Sequence, residues 1–181
     1  MMELVSYSFT LPPASILPVL RRLLDGSDAE GPPKGPRIML MGSAIARGDY
    51  QALDLIEDTG ARIVADRICT GTRWFNDRVS EDGDPFDAIS RMYLNRSFCA
   101  MRRPNTPLFE QAKAEAERGH VDGIVIKTLQ FCDSWGHEVE RVRADLGLPM
   151  LHIQSNYSPS DVAQTRTRIE AFIEMLRNGS R

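Results

Sequence analysis

The chain has 181 residues, 42% of them hydrophobic, with a formal net charge of -3 and a pI near 5.7, which predicts one compact domain with a true core. Acids and bases are scattered through both halves with no basic stripe for a phosphate backbone, and no apolar run approaches the ~20 residues of a membrane helix, so neither nucleic acid nor membrane is an expected partner. The N-terminus lacks a basic, cleavable leader, and three cysteines are too few for a secreted disulfide framework; a cytoplasmic protein with free, metal-bound or catalytic thiols is expected.

Residues 14–25 place Ile16, Leu17, Val19, Leu20, Leu23 and Leu24 in a helical rhythm, and residues 26–36, rich in glycine, proline and charge, read as a linker. The expected organisation is therefore a helix and linker over residues 1–36, followed by an α/β domain over residues 37–178. Within the domain four short apolar runs, at residues 37–41, 61–65, 123–128 and 150–154, alternate with helical segments. The first three runs are continuous rather than alternating, as strands covered on both faces must be.

The helices follow the same scheme. Residues 50–58 stop before Gly60. Asp84-Pro85 opens a helix to about residue 95 with a capping residue and a first-turn proline. Residues 107–118 read as a charged surface helix ending at Gly119, residues 133–146 as one helix leading through Gly147-Leu148-Pro149 into the last strand, and residues 160–177 as the most regular helix. The fold class predicted is α/β: a doubly wound, mainly parallel four-stranded sheet with helices on both faces, Rossmann-like or flavodoxin-like.

Ligands of such sheets collect beyond the carboxyl ends of the strands, where loops converge and helix N-termini point. Cys69 and Cys132 fall in two of those loops. Cys99 follows the helix that leaves the Cys69 loop, and the connection can return it to the same edge. The intervals of 30 and 33 residues leave no Cys-x-x-Cys, so a zinc ribbon or thioredoxin-type dithiol is poorly supported. Dispersed thiolates still suit an iron-sulfur cluster, although a lone cysteine is more often a small buried hydrophobe.

The remaining candidates are weaker. Gly42 and Ser43 offer backbone N–H groups to an anion, with a plain turn as the alternative. Arg73, Arg102 and Arg103 can meet an acidic ligand or a phosphate, with solvated surface as the default reading for all three, and Arg73 is taken with Gly42 and Ser43 as a weak substrate-binding candidate. His152, inside a strand, reads as a packed residue rather than a ligand, and Trp74-Phe75 as core filling rather than a cover for a cluster.

Several stretches carry a family resemblance: Arg37-Ile-Met-Leu-Met-Gly-Ser43, Leu55-Ile-Glu-Asp-Thr-Gly-Ala-Arg-Ile-Val64, Cys69-Thr-Gly-Thr-Arg73, Val121-Asp-Gly-Ile-Val125, Phe131-Cys-Asp133 and Thr165-Arg-Thr-Arg-Ile-Glu-Ala-Phe-Ile-Glu-Met175. From Arg37 onward the chain resembles the C-terminal domain of the 2-hydroxyacyl-CoA dehydratase and benzoyl-CoA reductase family, also called the 2-hydroxyglutaryl-CoA dehydratase D-component family. The resemblance implies a subunit that binds a [4Fe-4S] cluster, of the single or double-cubane type, and acts on acyl-CoA thioesters by one-electron chemistry. It also implies an ATP-dependent activator protein as electron donor and a second subunit, or a second copy, as partner. Cys132 matches the family's cluster ligand in this domain; Cys69 and Cys99 lie where some members also carry cysteine.

Two departures stand beside it. Members of ordinary size carry a preceding α/β domain with further cluster cysteines, and the loop after the fourth strand reads Gln154-Ser155-Asn156 where acids are expected. A non-catalytic binding or assembly module that keeps the fold without a complete cluster site is therefore the alternative to a cluster-binding component. A redox-sensing thiol domain is a third reading, and it requires one exposed, acidic cysteine.

Overall fold

The computed structural model describes residues 7–8, 10–26, 35–46, 49–74, 78–95, 99–156, 158 and 162–179. Its helices are α1 (Pro13–Gly26), α2 (Gln51–Asp58), α3 (Pro85–Asn95), α4 (Thr106–Arg118), α5 (Asp133–Gly136), α6 (Val139–Leu146) and α7 (Val162–Gly179). The strands β1 (Arg37–Gly42), β2 (Arg62–Ile68), β3 (Gly123–Leu129) and β4 (Met150–Ser155) form one all-parallel sheet in the order β2-β1-β3-β4.

The apolar runs of β1 and β3 are continuous because both their faces are buried. Ile38 and Leu40 of β1 point with Val125 of β3 into a core closed by Leu55 and Ile56 of α2 and by Ile169 and Ile173 of α7. Met39 and Met41 point the other way with Ile124 and Ile126, against Leu108, Phe109 and Ala112 of α4 and Val139 and Val142 of α6. This is the period-2 alternation of a strand read twice, once per face. Burial of each such side chain contributes about 1.5–3 kcal/mol, so the two cores fix the layers on either side of the sheet.

Three local expectations are corrected. Residues 107–118 are not a surface helix: α4 buries Leu108, Phe109, Ala112 and Ala116 and presents only its remaining face to water. β2 continues past the apolar run through Asp66 and Arg67 to Ile68. Arg67 can lie buried in a strand because its Nη2 meets Glu115 Oε1 of α4 at 2.6 Å. The helix expected over residues 133–146 is broken at His137 and Glu138 into α5 and α6, and Glu138 is only 4% exposed.

Two helices stand apart from these layers. In α1 only Ile16 is buried, and in α3 no residue is, although Phe86, Ile89 and Tyr93 line one side of it. Among the described residues, no helix is long and apolar enough to cross a membrane.

Candidate functional site

The strand order makes β1 and β3 neighbours whose following connections leave in opposite directions. The chain goes from β1 through α2 to β2 on one side, and from β3 through α5 and α6 to β4 on the other. Such a switch point opens a crevice beyond the strand ends. At this place the two strand ends are sewn together. The Ser43 N–H donates to Lys127 O at 2.8 Å, and the Leu129 N–H donates to Ser43 Oγ at 3.2 Å. Gly42 has φ +122°, and a Cβ there would lie 1.9 Å from Lys127 O, so only glycine permits this close approach. The Gly42-Ser43 turn thus already spends its hydroxyl and one N–H on the neighbouring strand.

None of the three cysteines is in a disulfide, and each is partly buried. Cys69 is the first residue after β2, and its Sγ lies 3.9 Å from Gly42 O, which puts it beside the end of β1. Cys132 is the N-cap of α5, held by a turn in which its N–H donates to Leu129 O at 3.0 Å, and it packs against the core on the α4 and α6 face. Cys99 lies between α3 and α4. Because α4 runs back along the sheet into β3, its N-terminal approach is at the carboxyl edge of the strands, and Ala100 is buried in the same core cluster as Trp135.

Side chains from these segments lock the Cys99 approach to the helix after Cys132. Glu138 Oε1 accepts from Arg103 Nη2 at 2.7 Å and from Asn105 Nδ2 at 2.8 Å. Arg141 Nη1 donates to Asn105 Oδ1 at 2.7 Å and lays its guanidinium 4.1 Å over the Phe109 ring. Arg103 is therefore not simply solvated surface as expected, because one end of it is fixed by a buried carboxylate. Arg102 is likewise used, donating to Leu94 O at 3.2 Å at the end of α3.

The topology thus brings all three cysteine-bearing segments to one sheet edge. Among the described residues, no three His, Cys, Asp or Glu side chains gather closely enough to hold a metal ion. Partly buried cysteine thiols are the donor type that iron-sulfur clusters take, and no disulfide ties up any of the three. Arg73 lies partly buried in the 3-10 turn Thr72–Trp74 next to Cys69. Phe75 and the side chain of Trp74 lie outside the described residues. His152 accepts or donates one hydrogen bond, Thr128 Oγ1 to Nε2 at 2.7 Å, and burial together with nearby arginines lowers its pKa.

Three features of this edge were missed by sequence reasoning. Lys127, only 3% exposed, lies near the carboxyl end of β3 with its Nζ 2.6 Å from Asp49 Oδ2; a lone lysine closing an Ile-Val-Ile run was the available signal. Asp66 accepts from the Thr72 N–H at 3.0 Å and so holds the Cys69 loop, and burial raises its carboxyl above the usual range despite those hydrogen bonds. Phe131 has φ 63° and is 86% exposed immediately before Cys132, a strained and solvated placement for an aromatic ring that no sequence pattern announces.

The family described as "2-hydroxyglutaryl-CoA dehydratase, D-component" matches residues 1–176, so the matched region includes the residues ahead of β1. The chain is 35% identical over 145 residues to "Putative dehydratase subunit YjiM" of Escherichia coli (strain K12), covering 78% of this chain and 38% of that protein. It is 25% identical over 162 residues to the (R)-phenyllactyl-CoA dehydratase beta subunit of Clostridium sporogenes, covering 87% of this chain and 43% of that one. The chain thus spans about two fifths of the length of the curated relatives it matches. It belongs to the 2-hydroxyglutaryl-CoA dehydratase D-component family.

Proposed function

We propose that this chain is the cluster-binding component of a 2-hydroxyacyl-CoA dehydratase-type enzyme, with Cys132 as a thiolate ligand of a [4Fe-4S] cluster and Cys69 and Cys99 as further ligands. The observation that carries this reading is the connectivity that ends all three cysteine-bearing segments at the carboxyl edge of a doubly wound sheet, with none of the three cysteines in a disulfide. When bound, the cluster supplies one-electron chemistry to an acyl-CoA thioester. The chain's own part is positional. The Glu138 network holds the Cys99 approach against the helix after Cys132, and Asp66 holds the loop that begins at Cys69.

A second subunit or second copy that completes the active enzyme, an ATP-dependent activator as electron donor, and a reducing cytoplasmic setting belong to the same proposal. The subunit names of the relatives support the partner, and the activator and setting follow from the family resemblance. Arg73 is retained as a substrate-side residue through its place beside Cys69, while Gly42 and Ser43 serve this edge by joining the ends of β1 and β3.

Iron and acid-labile sulfide, measured on the full chain after anaerobic reconstitution, test the assignment. The wild type is expected to take up both and turn brown, while Cys132→Ser loses them with its far-ultraviolet circular dichroism unchanged. Equal iron in the two proteins, or a wild type that stays colourless, overturns the proposal.

A further inference from the structure

The sheet has an unfinished side. β1 and β3 are paired on both edges, but among the described residues no strand pairs with the outer edge of β2. An edge strand leaves alternate N–H and C=O groups pointing away from the sheet, where they are a template for another chain. Here that edge is the floor of a groove of about 690 Å³. The groove follows β2 from Ile63 to Ile68 and continues to Thr72, with α2 as one wall and the C-terminal end of α4 as the other. Its shape is that of a missing strand: seven residues of β2 span about 23 Å, and helices rise on both sides as they do beside the central strands.

The two walls differ in charge. A register shift between Ile38 and Met39 sets Ile38 opposite Ile63 and Met39 opposite Ala65, leaving Val64 as the extra residue. Beyond it the alternation puts Ile68 in the core on the α2 face and Arg67 against Glu115 on the α4 face. Asp66 therefore falls on the α2 side, where Asp54 and Glu57 of α2 also line the groove and no lining residue is basic. On the α4 side Glu115 is paired with Arg67, and Arg118 adds a positive charge. The α2 wall is thus acidic and the α4 wall is not. Leu53, Ile63 and Val64 supply apolar surface between them.

We infer that the β2 groove is a docking site for an extended strand of a partner polypeptide, one whose side chains on the α2 face are lysine or arginine and whose alternate side chains are apolar. Backbone pairing with β2 supplies affinity, and the alternation of side chains between two unlike walls supplies the register. Burial has already raised the carboxyl groups of Asp66 and Glu115, so a cation placed beside Asp66 meets a partly desolvated carboxylate, where attraction is stronger than at open surface. This inference does not depend on the cluster.

The test uses the full chain, isotope-labelled for amide NMR, titrated with an end-blocked octapeptide of alternating lysine and valine. Two control peptides keep the experiment specific: one alternating glutamate and valine, and one with four lysines followed by four valines. Saturable shifts confined to β2 and its flanking helix residues are expected for the alternating lysine peptide alone. The charge reversal Asp54→Lys with Glu57→Lys, at two exposed positions of α2, is expected to weaken it roughly ten-fold, the effect of opposing two partly solvated ion pairs.

Absence of shifts at β2 overturns the proposal. Equal binding of the block peptide also overturns it, since that marks an acidic surface without strand pairing. Unchanged affinity in the double variant removes the charge argument and the proposed partner chemistry with it. Concentration-dependent dimerisation through the same amides, without peptide, assigns the groove to a second copy of the chain and overturns the partner reading.

Discussion

Arg103 reaches Glu138 at 2.7 Å, and this contact ties the segment that carries Cys99 to the helix that follows Cys132. The two residues are 35 positions apart, and only the packing of α4 against α6 makes them neighbours. Arg103 is largely exposed while Glu138 is buried, so the pair sits at the boundary where one partner is solvated and the other is not.

Removing the buried partner is the more damaging change. Glu138→Ala leaves Asn105 Nδ2, which is buried, without its acceptor, whereas Arg103 can turn to water. The expected loss is about 2–3 kcal/mol in urea unfolding. Glu138→Gln keeps one carbonyl acceptor and is expected to lose about half as much. Equal stability of Glu138→Ala and wild type shows that the network does not join the two segments.

Phe131 is held at φ 63° in the turn closed by the Cys132 N–H and Leu129 O. The third position of such a turn favours glycine, and the exposed ring recovers nothing by burial. Phe131→Gly is expected to raise the stability of the isolated chain by up to about 1 kcal/mol, the relief of the left-handed backbone less the added freedom of the unfolded chain. If thermal melting shows a loss above that size, the ring has structural contacts and the strain argument fails.

His152 gives the protein a pH dependence of known sign. Its pKa in the fold is lowered, first by burial and then by Arg168 and Arg143. The neutral ring is therefore the one the fold favours. Its contribution is full above the ordinary histidine value of about 6.5 and is lost as pH falls through the lower folded value. Asp66 and Glu115 act in the opposite sense: their raised values make ionisation the costly form, so their contribution is largest at low pH and declines as pH rises. Comparison of wild type with His152→Gln cancels the carboxylates. Between pH 7 and about 5 the wild type is expected to lose stability relative to the variant, by less than one proton's worth per pH unit. Parallel stability curves would refute the assignment.

Much of the fold was legible because it follows from local rules. Continuous apolar runs at β1 and β3 mean strands covered twice, and the alternation with helical segments means parallel pairing; the structure has that sheet, with Ile38 and Met39 serving opposite cores. The carboxyl-edge position of the Cys69 and Cys132 loops followed from the same pattern. The errors arose where a charge is made acceptable by a distant partner. Asp66 and Arg67 look like a loop until Glu115 and Thr72 are placed beside them, and residues 107–118 look like a surface helix because four buried positions are spread among acids and bases.

What the sequence by itself determined is therefore the class of fold, the order of strands and helices along the chain, the family, and which residue types stand at the working edge. The tertiary structure alone decided that β1 and β3 are the central pair, that Gly42 must be glycine because Lys127 O comes so close, that Glu138 gathers Arg103 and Asn105, and that β2, unpaired on its outer edge among the described residues, floors a groove with one acidic wall. The physical reason is range. Periodicity and turn chemistry act over a few residues and are written in the local pattern, whereas burial of a charge is settled by contacts between segments dozens of residues apart.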